Sequence, residues 1–249
     1  MAFAAIIIGD EIMSGRRQDK HLAKLIDTLK ARGLALARAE YLGDDRQQLT
    51  ATLKRSFTTG DIVFSFGGIG VTPDDHTRQA AAAALGVELA LHPDAEREIR
   101  ARFENEITPA RLQLGHFPVG AEIVPNPFNR IPGFSVGDHH FLPGFPEMAW
   151  PMMAWLLDTR YRHLHHTEEK SEAAIVVYDA YEGTLLELMQ RITATYPDAS
   201  LFSLPCIGDA ERRQHLELGM HGAPAAVEAA MAEIRAEVTK RGYEWEAKA

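Results

Sequence analysis

Ile62-Val63-Phe64-Ser65-Phe66, followed at once by Gly67-Gly68-Ile69-Gly70-Val71-Thr72-Pro73-Asp74-Asp75-His76-Thr77, is the stretch that decides the fold. A five-residue run that is apolar on both faces suits the middle of a parallel sheet. The alanine-rich segment Thr77 to Leu85, stopped by Gly86, reads as a helix, so the glycines form a strand-to-helix loop. The same order recurs upstream. Phe3 to Ile8 is an apolar strand, Gly9 to Gln18 a loop, and His21 to Arg32 a helix with Leu22, Leu25, Ile26 and Leu29 on one face and Gly33 as its stop. Leu34 to Tyr41 reads as a strand, Gly43-Asp44-Asp45 as a turn and cap, and Asp45 to Phe57 as a helix closed by Gly60. This alternation predicts a layered α/β fold with a mostly parallel sheet and right-handed crossovers, whose binding sites gather at the carboxyl ends of the strands.

Further along, Val119 to Pro146 is dense in proline and glycine and is expected to form hairpins over the sheet edge, from Ala121 to Val124, Phe134 to Val136 and His139 to Leu142. Pro146 to Leu157 reads as a helix with Pro151 inside it. Arg160 to Glu169 is polar and reads as a linker; its His163, His165 and His166 are neighbours on one segment, which suits a linker better than a metal site. Beyond it, strands at Ala173 to Tyr178, Leu201 to Leu204 and His215 to Met220, with helices at Thr184 to Tyr196 and Ala223 to Arg241, make a βαββα unit. The expected domains are residues 1–166 and 167–249.

Composition narrows the function classes. The 249 residues are 46% hydrophobic and 24% charged, enough for a real core, with a net charge of −9. Residues 1–166 hold 18 basic and 20 acidic side chains, the rest 8 and 15, so most of the negative charge lies in the second domain. An acidic chain has no electrostatic reason to seek nucleic acid or anionic lipid. A single cysteine, Cys206, excludes an intramolecular disulfide framework and a thiolate zinc site, and is expected to be a small buried hydrophobe. The run Phe3 to Ile8 is too short for a signal peptide or membrane span, and the expected location is the cytoplasm.

Two loops carry the chemistry. Glycines at 67, 68 and 70 let backbone N–H groups approach an anion, and the helix behind them adds a favourable dipole. Two readings stand: a phosphate cradle, or a tight turn capped by Asp74, Asp75 or Thr77. Adjacent carboxylates repel a phosphate unless a divalent cation bridges them, so Asp74 and Asp75 point to one cap and one metal or hydroxyl ligand. The other loop, Gly9-Asp10-Glu11-Ile12-Met13-Ser14-Gly15, would lie beside the first if strands one and three are neighbours. It either adds carboxylates to the same site or caps a turn, and Asp19 suits an N-cap. Pro143-Gly144-Phe145-Pro146-Glu147 and Pro125-Asn126-Pro127 form a third cluster, read equally as a surface loop. No Ser-His-Asp, Cys-His or His-Glu-x-x-His arrangement and no phosphate-loop lysine appears.

The motifs Gly9-Asp10-Glu11-Ile12-x-x-Gly15 with Asp19, then Gly67-Gly68-Ile69-Gly70 with Thr72, Asp74-Asp75 and Thr77, then Pro143-Gly144-x-Pro146, resemble the molybdopterin-binding (MoaB/Mog-like) superfamily. The likeness covers about residues 3–158 and is nearest to the N-terminal domain of the competence/damage-inducible protein A (CinA) family and the similar domain of eukaryotic FAD synthetase. It implies a three-layer α/β/α sandwich followed by the small βαββα domain. It also implies phosphate on Gly67, Gly68 and Gly70, further ligand contacts from Gly9, Thr72, Thr77, Asn126 and Gly144, catalytic roles for Asp10 and Asp75, and a metal at Asp10, Asp74 and Asp75. The implied cations are Mg, Mn or Co, with K as an additional ion. The implied activity is hydrolysis of a dinucleotide pyrophosphate such as ADP-ribose or FAD; the alternative is non-catalytic binding or biosynthesis of molybdopterin. Relatives imply a homo-oligomer. The chain departs from the pattern at Gly70-Val71-Thr72-Pro73, where relatives commonly read Gly-Pro-Thr; at Lys20-His21, where a Thr-Asn pair is common; and at Asn129-Arg130-Ile131. Arg130 is expected to add an anion contact. CinA's separate deamidase domain has no counterpart here, so amidohydrolase activity is not expected.

Overall fold

The computed structural model describes residues 2–167, 170–209 and 212–248. The chain divides into two compact units, Met1–His165 and His166–Ala249. The first contains β1 (Phe3–Ile8), the short α1 (Asp10–Met13), α2 (His21–Lys30), β2 (Leu36–Leu42), α3 (Arg46–Ser56), β3 (Ile62–Phe66) and α4 (Thr77–Leu85). There follow β4 (Leu89–Leu91), α5 (Pro93–Phe103), α6 (Pro109–Leu112), β5 (His116–Pro118), β6 (Glu122–Val124), β7 (Gly133–Val136), β8 (His139–Leu142) and α7 (Pro146–Thr159).

Six strands form one sheet in the order β2-β1-β3-β8-β7-β6. β1 runs parallel to both β2 and β3, and β3 parallel to β8; β7 alone is reversed, antiparallel to its neighbours β8 and β6. All six residues of β1 are buried because helices cover both faces. Alternation along the strand sends Phe3, Ala5 and Ile7 into one core with Leu25 and Leu29 of α2 and Met152, Met153 and Leu156 of α7. Ala4, Ile6 and Ile8 enter the other with Leu49 and Leu53 of α3 and Ala80 and Ala81 of α4. Each fully buried isoleucine contributes about 2 kcal/mol or more of hydrophobic stabilisation. The result is the three-layer α/β/α sandwich.

One expectation changes here. Residues 121–142 do not fold over the sheet edge; β6, β7 and β8 extend the sheet itself, Phe134 and Phe141 stacking with ring centroids 4.4 Å apart. Residues 87–118, which show no clear periodicity, form β4, α5, α6 and β5 and pack on the α4 side through Ala95, Ile99 and Phe117.

In the second unit β9 (Ser171–Tyr178), α8 (Glu182–Thr195), β10 (Ala199–Cys206), β11 (His215–Gly222), α9 (Pro224–Lys240) and β12 (Trp245–Ala247) build an antiparallel sheet in the order β10-β11-β9-β12. Leu185, Leu188 and Ile192 of α8 and Val227, Met231 and Ile234 of α9 close its core. β12 extends the expected βαββα unit by one strand. Cys206 is half-buried at the end of β10, not enclosed in the core. In the segment expected as a linker, Arg162–Leu164 makes a 3-10 turn and the ring of His165 bonds the Leu157 carbonyl at 2.9 Å; Glu168 and Glu169 lie outside the described residues. No helix among the described residues is long and apolar enough to cross a membrane.

Candidate functional site

Because β1 and β3 are parallel neighbours in register from Phe3↔Ile62 to Ile7↔Phe66, the loops that follow them leave the sheet at the same end. Gly67 has φ +105, and a Cβ there would stand 2.2 Å from the carbonyl oxygen of Ile8. Gly68 has φ +67, and its Cβ would stand 2.2 Å from Thr77 Oγ1. Only glycine lets the loop lie this tightly against β1 and the start of α4. Thr77 is fully buried and donates its hydroxyl to the Gly67 carbonyl at 3.0 Å and its amide to the Gly68 carbonyl at 3.0 Å. It braces the loop from behind and is not among the residues of the cavity wall.

That wall encloses about 440 Å³. Gly9, Glu11 and Arg17 come from the loop after β1, Asp44 from the loop after β2, and Gly67 to Thr72 with Asp74 and Asp75 from the loop after β3. Leu114 comes from the segment before β5; Asn126, Asn129 and Ile131 from the loop after β6; and Gly144, Phe145 and Met148 from the start of α7. Asp75 is locked in place: its Oδ2 accepts the amide of Thr72 at 2.8 Å and the Thr72 hydroxyl. Its other oxygen takes no hydrogen bond from a described residue.

Asp10 is placed differently. Its Oδ1 accepts the amide of Asp44 at 3.1 Å, and its own amide donates to Asp44 Oδ2 at 2.8 Å, a reciprocal clasp between two loops. One Asp10 oxygen is thus taken up by the neighbouring loop, and Asp10 is not among the residues of the cavity wall, whereas Glu11 and Asp44 are. Burial raises the Asp44 pKa, and the charges of Asp10, Glu11 and Asp74 push the same way against the hydrogen bond from Asp10. Among the described residues no three His, Cys, Asp or Glu side chains converge as a ready cation cage, so Asp10, Asp74 and Asp75 do not form one together.

Asn126 is buried on the wall, but its polar atoms hold the loop: Nδ2 donates to Asn129 Oδ1 at 2.8 Å and to the Ile131 carbonyl at 2.9 Å, and Oδ1 accepts the Phe128 amide at 3.0 Å. Arg130 does not reach the cavity. It has φ +66 and pairs with Glu98 at 3.0 Å. Asp19 behaves as expected of a helix-start acid, accepting the amides of His21 at 2.8 Å and Leu22 at 3.1 Å. His21 donates Nε2–H to the Gly144 carbonyl at 3.1 Å and stacks on Phe66; it lines a second, smaller cavity of about 240 Å³ that shares Glu11, Arg17, Gly144 and Phe145 with the first. Asp44 was the wall residue most open to detection from sequence, since it follows a strand that had to neighbour β1. Leu114 lies in the stretch without clear periodicity and gave no such signal.

The family model described as "Probable molybdopterin binding domain" matches residues 4–163. The chain belongs to this family. A CinA-like protein of Anaeromyxobacter sp. (strain Fw109-5) is 39% identical over 131 residues, which is 51% of this chain and 32% of that protein. A curated protein of Pyrobaculum arsenaticum is 35% identical over 211 residues, 82% of this chain and 80% of its own length. The crystal structure of the protein CinA with unknown function from Thermoplasma acidophilum aligns with 26% identity and a TM-score of 0.58, covering 64% of this chain and 98% of that one. The matches to the first CinA-like proteins take in only 32% to 38% of their length. This molybdopterin-binding, CinA-like architecture is the one that the sheet order and the glycine loop build.

Proposed function

We propose that the first unit binds a phosphorylated small molecule, its phosphate on the Gly67–Gly70 loop, and hydrolyses a dinucleotide pyrophosphate of the ADP-ribose or FAD type. The observation that carries this reading is the cavity in which that loop faces Glu11, Asp44, Asp74 and Asp75. Glycine amides at a helix start favour an anion, yet the four acids oppose one. A hard divalent cation (Mg, Mn or Co), with K as an additional ion, reconciles the two. Carboxylate oxygens are its preferred donors, and a cation would offset the neighbouring charges that, after burial, raise the Asp44 pKa.

No three of these carboxylates converge as a ready cage, so acids of this wall other than Asp75 would hold the ion together with phosphate and water oxygens, and it would supply positive charge at the phosphoryl oxygens. The protein's own part begins with the loop, which orients the phosphate against the wall. Thr72 fixes the Asp75 carboxylate through one oxygen, leaving the other to accept a proton from water. The water oxygen forms a bond to phosphorus, the bridging P–O bond breaks, and the proton passes through Asp75 to solvent or to the departing phosphate. The proposed setting is a cytoplasmic homo-oligomer without a nucleic-acid or membrane partner.

The test is AMP release from ADP-ribose and FAD by the purified chain with Mg, Mn or Co in potassium buffer. Release that falls at least 100-fold in Asp75→Asn supports the mechanism; no release by the wild-type chain with any of these metals sinks it. A second reading, favoured by the molybdopterin-binding description of the family, is non-catalytic binding of molybdopterin. It predicts a pterin that co-purifies, seen by mass spectrometry, without turnover.

A further inference from the structure

Arg78, the second residue of α4, is 4% exposed, and no carboxylate among the described residues lies within ion-pair distance of it. Its guanidinium is held by carbonyls from three places in the fold: Gly70 in the glycine loop, Gln113, and His116 at 3.3 Å. Nε has no partner. An arginine keeps its charge in such a setting, and a buried charge without a counter-ion is costly to the fold. Burial acts to lower the guanidinium pKa while the charge of Asp75 acts to raise it.

The position explains what the charge is for. Gly70 is on the cavity wall and Arg78 is not. On the same residue, a Cβ at Gly70 would stand 2.4 Å from Asp75 Oδ2. The guanidinium and the Asp75 carboxylate therefore both adjoin Gly70, the one through its carbonyl and the other at its Cα. Gln113 and His116, the other two anchors, flank the cavity residue Leu114, so the segment 87–118 holds the guanidinium in place.

Resting on the reading that this loop holds phosphate, we infer that Arg78 is a positioning residue whose charge, in direct contact with no carboxylate and set behind the glycine loop, lets an acid-lined cavity accept an anion. It touches neither ligand nor cation. Its contribution is electrostatic, delivered through one peptide group in a medium of low dielectric, where a single charge changes anion affinity by about tenfold or more.

The experiment compares wild type, Arg78→Gln and Arg78→Lys, with pyrophosphate and ADP-ribose as probes in isothermal calorimetry at fixed salt and magnesium, folding being checked by circular dichroism. Gln keeps hydrogen-bonding capacity without charge; Lys keeps charge without the fork that spans three carbonyls. The expected result is at least tenfold weaker binding of both probes by R78Q and binding within threefold of wild type by R78K. Rescue by lysine is the readout that a purely structural cross-link would not give. The inference is overturned if R78Q stays within threefold of wild type or if R78K is as weak as R78Q. Should R78Q fail to fold, R78K decides alone: within threefold supports the inference, and a tenfold loss overturns it. If the wild-type chain binds neither probe, the phosphate reading of the cavity falls, and the role of Arg78 falls with it.

Discussion

Two groups of ionisable side chains sit in the first unit and are built on opposite logics. At the cavity, Glu11, Asp44, Asp74 and Asp75 share one wall with Asp10 clasped to Asp44 beside it, and the Asp44 pKa rises through burial and its neighbours' charge. Within the sheet, Ser135, His140, Tyr161 and Asp138 form a closed row. Tyr161 donates its one proton to Asp138 at 2.7 Å, so His140 Nε2–H donates to the phenol oxygen at 2.6 Å and Nδ1 accepts from Ser135 at 2.7 Å. Burial lowers the pKa of His140 to about 3 and of His139 to about 4. The His140 depression belongs to this hydrogen-bonded row, whereas His139 pairs outside it with the Ser56 hydroxyl at 2.8 Å. A perturbed pKa marks a site only when the group also faces a cavity with its hydrogen bonding incomplete.

The sharpest way to break this contrast is a substitution that removes chemistry without touching the fold. Asp75→Asn keeps an oxygen for the Thr72 amide and removes the charge. AMP release from ADP-ribose should fall at least 100-fold, while the urea midpoint stays within about 0.5 kcal/mol of wild type. A midpoint that drops with the activity would place Asp75 among the structural groups.

The converse substitution is His140→Leu. It removes the middle of the closed row, leaving the buried Ser135 hydroxyl without its acceptor and the Tyr161 oxygen without its donor. Unfolding in urea should show a loss of about 3 kcal/mol, with pyrophosphate affinity unchanged. A stability loss below about 1 kcal/mol would mean that the row is open to water.

How much of this was legible in the sequence follows the same division. β1, β3 and α4 announced themselves because a buried parallel strand is a short apolar run and Gly86 ends a helix plainly. The neighbouring loops of residues 9–15 and 67–77 followed from strand adjacency. What could not be read was direction. Asp10 and Asp75 stand in similar strand-end contexts, yet one clasps the Asp44 backbone and the other faces the cavity, a choice made by β2 lying beside β1. Arg78 was invisible for a related reason: its partners at Gln113 and His116 are backbone carbonyls, which leave no mark on residue type, in a segment whose α5 is half charged and only lightly buried. Asn126 was found, but as a ligand contact, because a loop-building asparagine and a ligand-binding one look the same until their hydrogen bonds are traced.

Two buried histidines, His139 and His140, also predict an acid limit. An unfolded histidine takes up a proton as pH falls through 6.5, while the buried rings resist protonation until about 4 and about 3. With folded pKa values below the unfolded one, stability is complete above pH 6.5 and is lost progressively below it, reaching about 2 kcal/mol per histidine at pH 5. Urea unfolding at pH 7 and pH 5 measures the loss, and His140→Leu should remove about half of it. An equal pH dependence in wild type and variant would show that His140 is not excluded from protonation.

The smallest effect is expected at Asp44, and its sign separates the two groups most clearly. Here the folded pKa lies above that of an unfolded carboxylate, so the ionised folded form is disfavoured at neutral pH and stability is gained as pH falls through the raised value. Asp44→Asn keeps an acceptor for the Asp10 amide and removes one charge facing Asp10, Glu11 and Asp74. Because Asp44 is only half-buried, solvent screens the repulsion and the gain should be below about 1 kcal/mol, a rise of about 1–3 °C in melting temperature in EDTA. Magnesium should then stabilise wild type more than the variant, since the ion and the substitution relieve the same crowding. A variant that melts below wild type in EDTA, and that responds to magnesium as wild type does, would show that Asp44 acts through its clasp with Asp10, as the closed row acts, and not through charge.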